Sequence, residues 1–115
     1  MPDRVLRVKD GVQFTIIAPG GFRILEALSC CARKLGVDLT ITSACDGAHS
    51  GPNDPHHRGE AYDVRSHDLQ AELKPVILNA LGALLPTSNF YAFLEAPGTN
   101  NEHFHIQVRK GMQYP

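Results

Sequence analysis

The sequence predicts an α+β fold in which a small antiparallel sheet carries two main helices on one face. Short segments rich in β-branched and aromatic residues lie toward both ends of the chain, which is the pattern expected of strands. Two longer segments between them repeat apolar residues at helical spacing. The chain has 115 residues, enough for a single domain over residues 1–115 with a core of its own.

The first half of the chain predicts two strands, a helix and a third strand. The segment RVLRVKDGVQFTII favours two short strands around a turn at Asp10-Gly11, a dipeptide that suits hairpin turns. Apolar residues recur at helical spacing over residues 22–35, and Gly36 follows as a suitable C-cap. The β-branched segment VDLTITS predicts the third strand, which leads into a long polar loop.

The second half predicts a strand, a helix and a hairpin. EAYDVRS favours a short strand, and a helix is expected over residues 69–85. Ser66 or Asp68 could cap that helix, and Pro75 must kink it or mark its true start. NFYAFLEA and HFHIQV predict two strands that PGTNNE joins as a hairpin.

Charge and hydropathy exclude several classes of function. The formal net charge is −1, which gives no electrostatic basis for binding nucleic acid or an anionic membrane. No apolar run is long enough for a transmembrane helix, and MPDRVLRVKD lacks the apolar region of a secretory signal. We therefore expect no nucleic-acid partner, no membrane insertion and a monomer. The cysteines are expected to be reduced, with Cys30 and Cys31 as packing residues of the first helix.

Metal-binding residue types are concentrated in DPHHRGEAYDVR, residues 54–65. His56, His57 and Asp63 could each bind a divalent cation such as zinc, which accepts imidazole nitrogen and carboxylate oxygen. A ligand in the loop can fold over a ligand on the strand, and Gly59 between them permits a tight turn. The alternative is that the histidines are solvated loop residues and Asp63 is a surface acid.

A second concentration of such residues lies in NEHFHIQV, residues 101–108. His103 and His105 are two apart on a predicted strand, so their side chains point to one face. The apolar residues that should face the core on the other side are Phe104, Ile106 and Val108. Glu102 precedes the histidines, where it can reach the same ion. The alternative is a pair of exposed strand histidines with a turn glutamate.

Taken together, the two segments can supply the protein ligands of a catalytic zinc. Two histidines and one carboxylate make up its three protein ligands, and a fourth position stays open to water. A nearby glutamate could take a proton from that water while the metal acts as a Lewis acid, which is a minimal set for peptide hydrolysis. The residues alone do not decide which of His103 and His105 is the ligand.

In this order the two segments resemble the motifs of zinc peptidases that cleave bacterial cell-wall peptides. These are the D-alanyl-D-alanine carboxypeptidases and dipeptidases, with related phage endolysins, and they share the Hedgehog/DD-peptidase fold. The first family motif is a Ser, a gap and His-x-x-Gly-x-Ala-x-Asp, matched here by His56, Gly59, Ala61 and Asp63. The second is an acid followed by His-x-His, matched here by Glu102, His103 and His105. The resemblance covers residues 40–108.

The resemblance implies a site and a reaction. Zn²⁺ is the implied cofactor, with His56, Asp63 and His105 as its ligands. Glu102 is the implied general base, and His103 is the implied hydrogen-bonding residue near the reaction oxygen. The implied substrate is a peptidoglycan stem peptide, cut by carboxypeptidase or endopeptidase action with D,D or L,D specificity. Such an enzyme is expected to be cytoplasmic or phage-encoded, with its action at the cell wall.

Two positions depart from the family pattern. Asp54 stands where the family has its Ser, and Asp46 stands where the family has an Arg that stabilises the oxyanion. An anion does not stabilise developing negative charge, so His49 or Arg65 could take over that role. This departure favours the alternative of a non-catalytic zinc-binding domain of the same fold, used for stability or for binding a partner. A small globular protein without a metal is the third hypothesis.

Overall fold

The structure, a computed structural model that describes residues 5–47, 51 and 54–109, contains five strands and two helices in those residues. The strands are β1 (Leu6–Val8), β2 (Leu39–Ser43), β3 (Ala61–Arg65), β4 (Phe90–Glu95) and β5 (His103–Val108). The helices are α1 (Pro19–Leu35) and α2 (Leu73–Leu84). The strands form one sheet in the order β1-β2-β3-β5-β4. The α+β class is confirmed, but the sheet is mixed rather than antiparallel, because β1 and β2 pair in parallel.

The predicted N-terminal hairpin is wrong, because only its first strand forms among the described residues. The turn itself is present, and Gly11 has the positive φ of 89° that favours glycine. Beyond the turn, Gln13 bonds to the loop that follows β2 instead of pairing with β1. Its carbonyl accepts from the amide of Cys45 at 2.8 Å, and its amide donates to Asp46 at 3.2 Å.

Helix α1 begins three residues before the predicted start and ends as predicted. Pro19 occupies its first turn, where the fixed φ of proline suits a helix start. At the other end Gly36 takes a left-handed conformation with φ of 67°, and its amide donates to the carbonyl of Ala32. Near the N-terminus, a Cβ on Gly21 would lie 1.9 Å from the carbonyl oxygen of Gly59. The first turn of α1 therefore packs directly against the loop that precedes β3.

Helix α2 begins at Leu73, and Pro75 lies in its first turn. Proline is tolerated there because the amides of the first turn lack helical partners anyway, so Pro75 marks the helix start and not a kink. The N-cap residue is Glu72, whose side chain makes no capping bond. The predicted caps at Ser66 and Asp68 are therefore wrong, and the buried hydroxyl of Ser66 donates to a carboxylate instead.

The two faces of the sheet differ in character. Both helices pack on one face, where they enclose a single core with the strands. The largest fully buried members of that core are Tyr62, Phe90, Phe104, Ile24, Leu28, Leu39, Ile41, Ile77, Leu81 and Ile106. The alternation predicted for β5 is confirmed, since Phe104 and Ile106 are buried whereas His103 and His105 are only partly so. We call the face opposite the helices, which carries these histidines, the open face.

Two predictions from composition concern membrane spans and the cysteines. Neither α1 nor α2, the helices of the described residues, is long and apolar enough to cross a membrane. The three cysteines are free thiols, as predicted. Cys31 on α1 packs in the hydrophobic core of the protein, while Cys30 is partly exposed.

Candidate metal centre

Strand pairing brings the two histidine-containing segments together on the open face. In the antiparallel register of β3 and β5, Asp63 lies opposite His105, and Arg65 lies opposite His103. On the other side of β5, strand β4 places Glu95 opposite His103. Because side chains alternate along a strand, all of these residues project from the same face.

A tight turn over residues 54–59 carries His56 to the same place. The carboxylate of Asp54 accepts the amide of His56 at 2.9 Å. Gly59 ends the turn with φ of 71°, and a Cβ there would lie 2.3 Å from the carbonyl oxygen of Ile16. Its own carbonyl accepts the amide of Ala18 at 3.2 Å. The turn is fixed at both ends, and His56 is only 4% exposed.

His56, Asp63 and His105 converge in one cluster, with their ligand atoms within 4.8 Å of one another. Oδ1 of Asp63 lies 3.3 Å from Nε2 of His56 and 3.0 Å from Nδ1 of His105. The two imidazole rings meet edge to face, with centroids 5.2 Å apart. The structure thus brings together the three residues that the family resemblance implies as zinc ligands.

Both imidazoles of the cluster are oriented through their other ring nitrogen. Nδ1 of His56 donates to the carbonyl of Ala44 at 3.1 Å, and Nε2 of His105 donates to Oε1 of Gln107 at 2.6 Å. Outer hydrogen bonds of this kind set the tautomer and the ring orientation of a metal-binding histidine. The other nitrogen of each ring is the one that faces Asp63.

The chemistry of these donors fits a divalent cation. A neutral imidazole has one N–H, and in His56 and His105 that N–H is directed at Ala44 and Gln107. The second nitrogen of each ring faces the Asp63 carboxylate, and two acceptors attract each other only through a shared proton or cation. One carboxylate does not balance two imidazolium ions, whereas one divalent cation satisfies all three groups. Two imidazole nitrogens and one carboxylate oxygen form a set that zinc binds well.

The electrostatics of the cluster keep Asp63 ionised. Burial by itself would raise the pKa of this carboxyl, but hydrogen bonds with His105 and His56 outweigh burial and hold the pKa well below its ordinary value. Burial would lower the pKa of His105, but its hydrogen bonds with Asp63 and Gln107 raise that pKa above its ordinary value. The ionised form of Asp63 is the form that binds a metal.

His103 and Glu95 form a second arrangement beside the cluster. Nε2 of His103 lies 2.7 Å from Oε1 of Glu95 and 3.6 Å from Oδ1 of Asp63, and its Nδ1 donates to the carbonyl of Asn101 at 2.8 Å. Glu95 is missing from the predicted site. A signal for it existed, because the predicted hairpin and the alternation along NFYAFLEA together place its side chain beside His103.

Glu102 lies apart from the cluster, and its position does not support the predicted role of general base. It shares the alternation of the core residues of β5 and is only 4% exposed. Its Oε2 lies 2.6 Å from Nζ of Lys74 and accepts the hydroxyl of Ser66 at 2.7 Å, and its Oε1 accepts the amide of Gly98 at 3.1 Å. Lys74, Gly98 and Ser66 together lower the pKa of Glu102 to about 2. With both oxygens engaged, this carboxylate is a poor proton acceptor.

His57, the third metal-ligand candidate of the first segment, does not join the cluster. Its Nδ1 lies 2.8 Å from the carbonyl oxygen of Gly51, and its Nε2 lies 2.7 Å from that of Gly47. The imidazole of His57 therefore connects two points of the polar loop, the carbonyls of Gly47 and Gly51.

Asp46, at the position of the family Arg, shapes the backbone near the cluster. Its Oδ1 accepts the amides of Ala44 at 2.9 Å and of Gln13 at 3.2 Å. Asp46 therefore holds the backbone amide of Ala44, the residue whose carbonyl orients His56. Of the two candidates for the missing cation, Arg65 projects from the open face, and His49 lies outside the described residues.

Comparisons of the chain with protein-family models, with curated proteins and with solved structures find no match.

Proposed function

We propose that the chain is a zinc-dependent metallopeptidase that hydrolyses peptidoglycan stem-peptide bonds, on a fold of the Hedgehog/DD-peptidase kind. The convergence of His56, Asp63 and His105 on the open face carries the proposal. Two imidazoles and one carboxylate are the protein ligands of several hydrolytic zinc sites. The choice of peptidoglycan peptides as the substrate comes from the resemblance of the two motifs.

The ligand atoms that would hold the zinc are Nε2 of His56, Oδ1 of Asp63 and Nδ1 of His105. When bound there, zinc supplies a Lewis acid that polarises a peptide carbonyl and lowers the pKa of water. Because Ala44 and Gln107 already orient the two rings, binding costs little further ordering of the side chains.

Glu95 is the described carboxylate best placed to act as the general base in place of Glu102. It projects from the open face beside the cluster, and its side chain is 48% exposed, so that a water molecule and a substrate can reach it. Glu95 accepts a proton from the attacking water and returns it to the leaving nitrogen. The peptide bond is thereby converted into a carboxylate and an amine, and the base is regenerated.

His103 positions that base. Its Nδ1–H is fixed by the carbonyl of Asn101, and its Nε2 faces Glu95. Nε2 lies 2.7 Å from Oε1 of Glu95, within hydrogen-bond distance, and so keeps this carboxylate next to the cluster. The same nitrogen lies 3.6 Å from Oδ1 of Asp63, so the pair of His103 and Glu95 borders the position proposed for the zinc.

Aromatic side chains form the wall of the site on the β4 side. The rings of Tyr91 and Phe93 stack with centroids 5.8 Å apart, and the ring of Phe93 lies 5.3 Å from that of His105. The guanidinium of Arg109 lies over the Tyr91 ring, 5.4 Å from its centroid. An apolar wall beside polar reacting groups is the usual composition of a substrate site.

The proposal is tested by incubating the zinc-loaded protein with soluble peptidoglycan fragments and following the products by mass spectrometry. We expect hydrolysis of a stem-peptide bond, its loss on chelation of the metal and its return on addition of zinc. The matched control is Asp63→Asn, which keeps the shape of a ligand but removes its charge, and which should be inactive. Stoichiometric zinc binding without any hydrolysis would support the non-catalytic alternative.

A further inference from the structure

A polar pocket with a volume of about 180 Å³ opens next to the candidate metal centre, where β3 ends and β5 begins. Its lining residues are Lys9, Thr42, Arg65, His67, Asn100, Asn101, Glu102 and His103. His103 belongs both to this pocket and to the group beside Asp63. The pocket and the metal centre are therefore adjacent parts of one surface.

The pocket has an excess of positive charge that the protein itself does not neutralise. Within residues 5–47, 51 and 54–109, the side chains of Lys9, Arg65 and His67 make no ion pair or hydrogen bond. The acidic residue in the lining, Glu102, is already balanced by Lys74 at 2.6 Å. Lys9 and Arg65 are cations, and cationic side chains without a partner that line one concave surface favour an anionic ligand, to which the imidazole of His67 can add a hydrogen bond.

The distance from this charge to the metal centre suits a peptide. Arg65 and Asp63 project from the same face two residues apart on β3, which separates their Cα atoms by about 7 Å. A peptide advances by about 3.8 Å per residue between Cα atoms. A carboxylate one residue beyond a bond held at Asp63 therefore comes within reach of the Arg65 side chain.

We infer that Lys9, Arg65 and His67 form a subsite for the terminal carboxylate of a peptide substrate. Arg65 binds this group through charge-assisted hydrogen bonds, and Asn100 and Asn101 line the same pocket. This inference rests on the proposed peptidase function and makes it more specific. The favoured substrate is a peptide whose last residue is released and carries the free terminal carboxylate.

The kinetic test compares an N-acylated peptide that ends in D-Ala-D-Ala with the same peptide as its C-terminal amide. We expect kcat/KM for the acid to exceed that for the amide by about tenfold to a hundredfold. Arg65→Gln should remove this preference by lowering kcat/KM for the acid alone. The matched control is Arg33→Gln, the same change at an exposed position on α1, which should leave both values unaltered. Equal turnover of acid and amide by the wild type overturns the subsite and leaves the peptidase proposal intact.

A binding test separates the subsite from catalysis. The backbone amides of the folded protein are followed by NMR during titration with the acetylated dipeptide D-Ala-D-Ala and, in parallel, with its amide. We expect shifts at Arg65, His67 and Asn101 for the acid only, and none in Arg65→Gln. Acid-specific shifts without hydrolysis would support the subsite and contradict the peptidase. Shifts that are the same for acid and amide, or unchanged in Arg65→Gln, would overturn the subsite.

Discussion

Glu95 and Glu102 stand at either end of one hairpin loop and differ completely in their surroundings. Glu95 ends β4 on the open face, beside His103. Glu102 comes immediately before β5 and points to the helix side, where Lys74 and Ser66 hold it. The difference arises because side chains alternate along a strand, so that Glu95 and Glu102 point to opposite faces of the sheet. It decides which carboxylate lies beside His103 near the cluster and which one is buried against Lys74 and Ser66.

The two glutamates should therefore respond differently to the same substitution. We expect Glu95→Gln to lower kcat by about 100- to 10,000-fold, because the proton acceptor is lost, while zinc content stays at the wild-type level. Glu102→Gln should keep most of the kcat but lower the melting temperature by about 5 °C or more, because Lys74 loses its buried partner. Kinetics, zinc analysis and thermal melting check both variants. The opposite pattern would restore Glu102 as the base.

The low pKa of Glu102 also predicts how acid affects stability. Its pKa is about 2 in the folded protein and near its ordinary value of 4.5 when unfolded, so its stabilising contribution is complete above about pH 4.5. The contribution is lost as the pH falls toward 2. The difference in melting temperature between the metal-free wild type and Glu102→Gln should therefore be largest near neutral pH and shrink between pH 5 and pH 2. A difference independent of pH would show that Glu102 is not held by these partners.

At the scale of elements, the candidate metal centre depends on the contact between α1 and the turn that carries His56. Gly21 in the first turn of α1 lies against the carbonyl of Gly59, and the hydroxyl of Tyr62 is also within contact distance. The carbonyl of Gly59 accepts the amide of Ala18, just before the helix begins. The start of α1 thus holds the turn that carries His56 in place.

Two glycine substitutions in helices test this contact. Gly21→Ala would place a Cβ 1.9 Å from a backbone oxygen, so we expect a loss of about 3 kcal/mol of stability and weaker zinc binding. Gly82→Ala is the matched control in α2, where a Cβ meets nothing within 4 Å. That variant should gain up to about 1 kcal/mol from helix propensity, with zinc affinity unaltered. Chemical denaturation and zinc titration measure both effects. A neutral Gly21→Ala would contradict the close contact.

At the scale of the whole molecule, the sequence predicts local features well and long-range pairing less well. The helical spacing before Gly36 and the β4–β5 hairpin were predictable because each depends on neighbours in the chain. The parallel pairing of β1 with β2 was not, since it depends on where the chain returns after α1. The turn at Gly11 suits a hairpin locally, but tertiary contacts of Gln13 with the loop after β2 prevail.

The candidate site shows the same division. His56, Asp63 and His105 were predictable because their types and spacing match a motif, and the strand register then brings them together. Outer partners such as Ala44 and Gln107 were not, because a backbone carbonyl and an amide carry no pattern in the sequence. If the alternation along β5 is extended by one residue to Glu102, it predicts that this side chain points to the opposite face of the sheet from His103 and His105.

The central claim is that a loop and two strands together form one zinc site on the open face. The most direct measurement is the zinc content of the untagged protein by elemental analysis, after supplementation and removal of excess metal. We predict about one equivalent in the wild type, none in His56→Ala and one in the control His67→Ala, whose histidine lies outside the cluster. No zinc in the wild type, or full zinc in His56→Ala, would contradict the account.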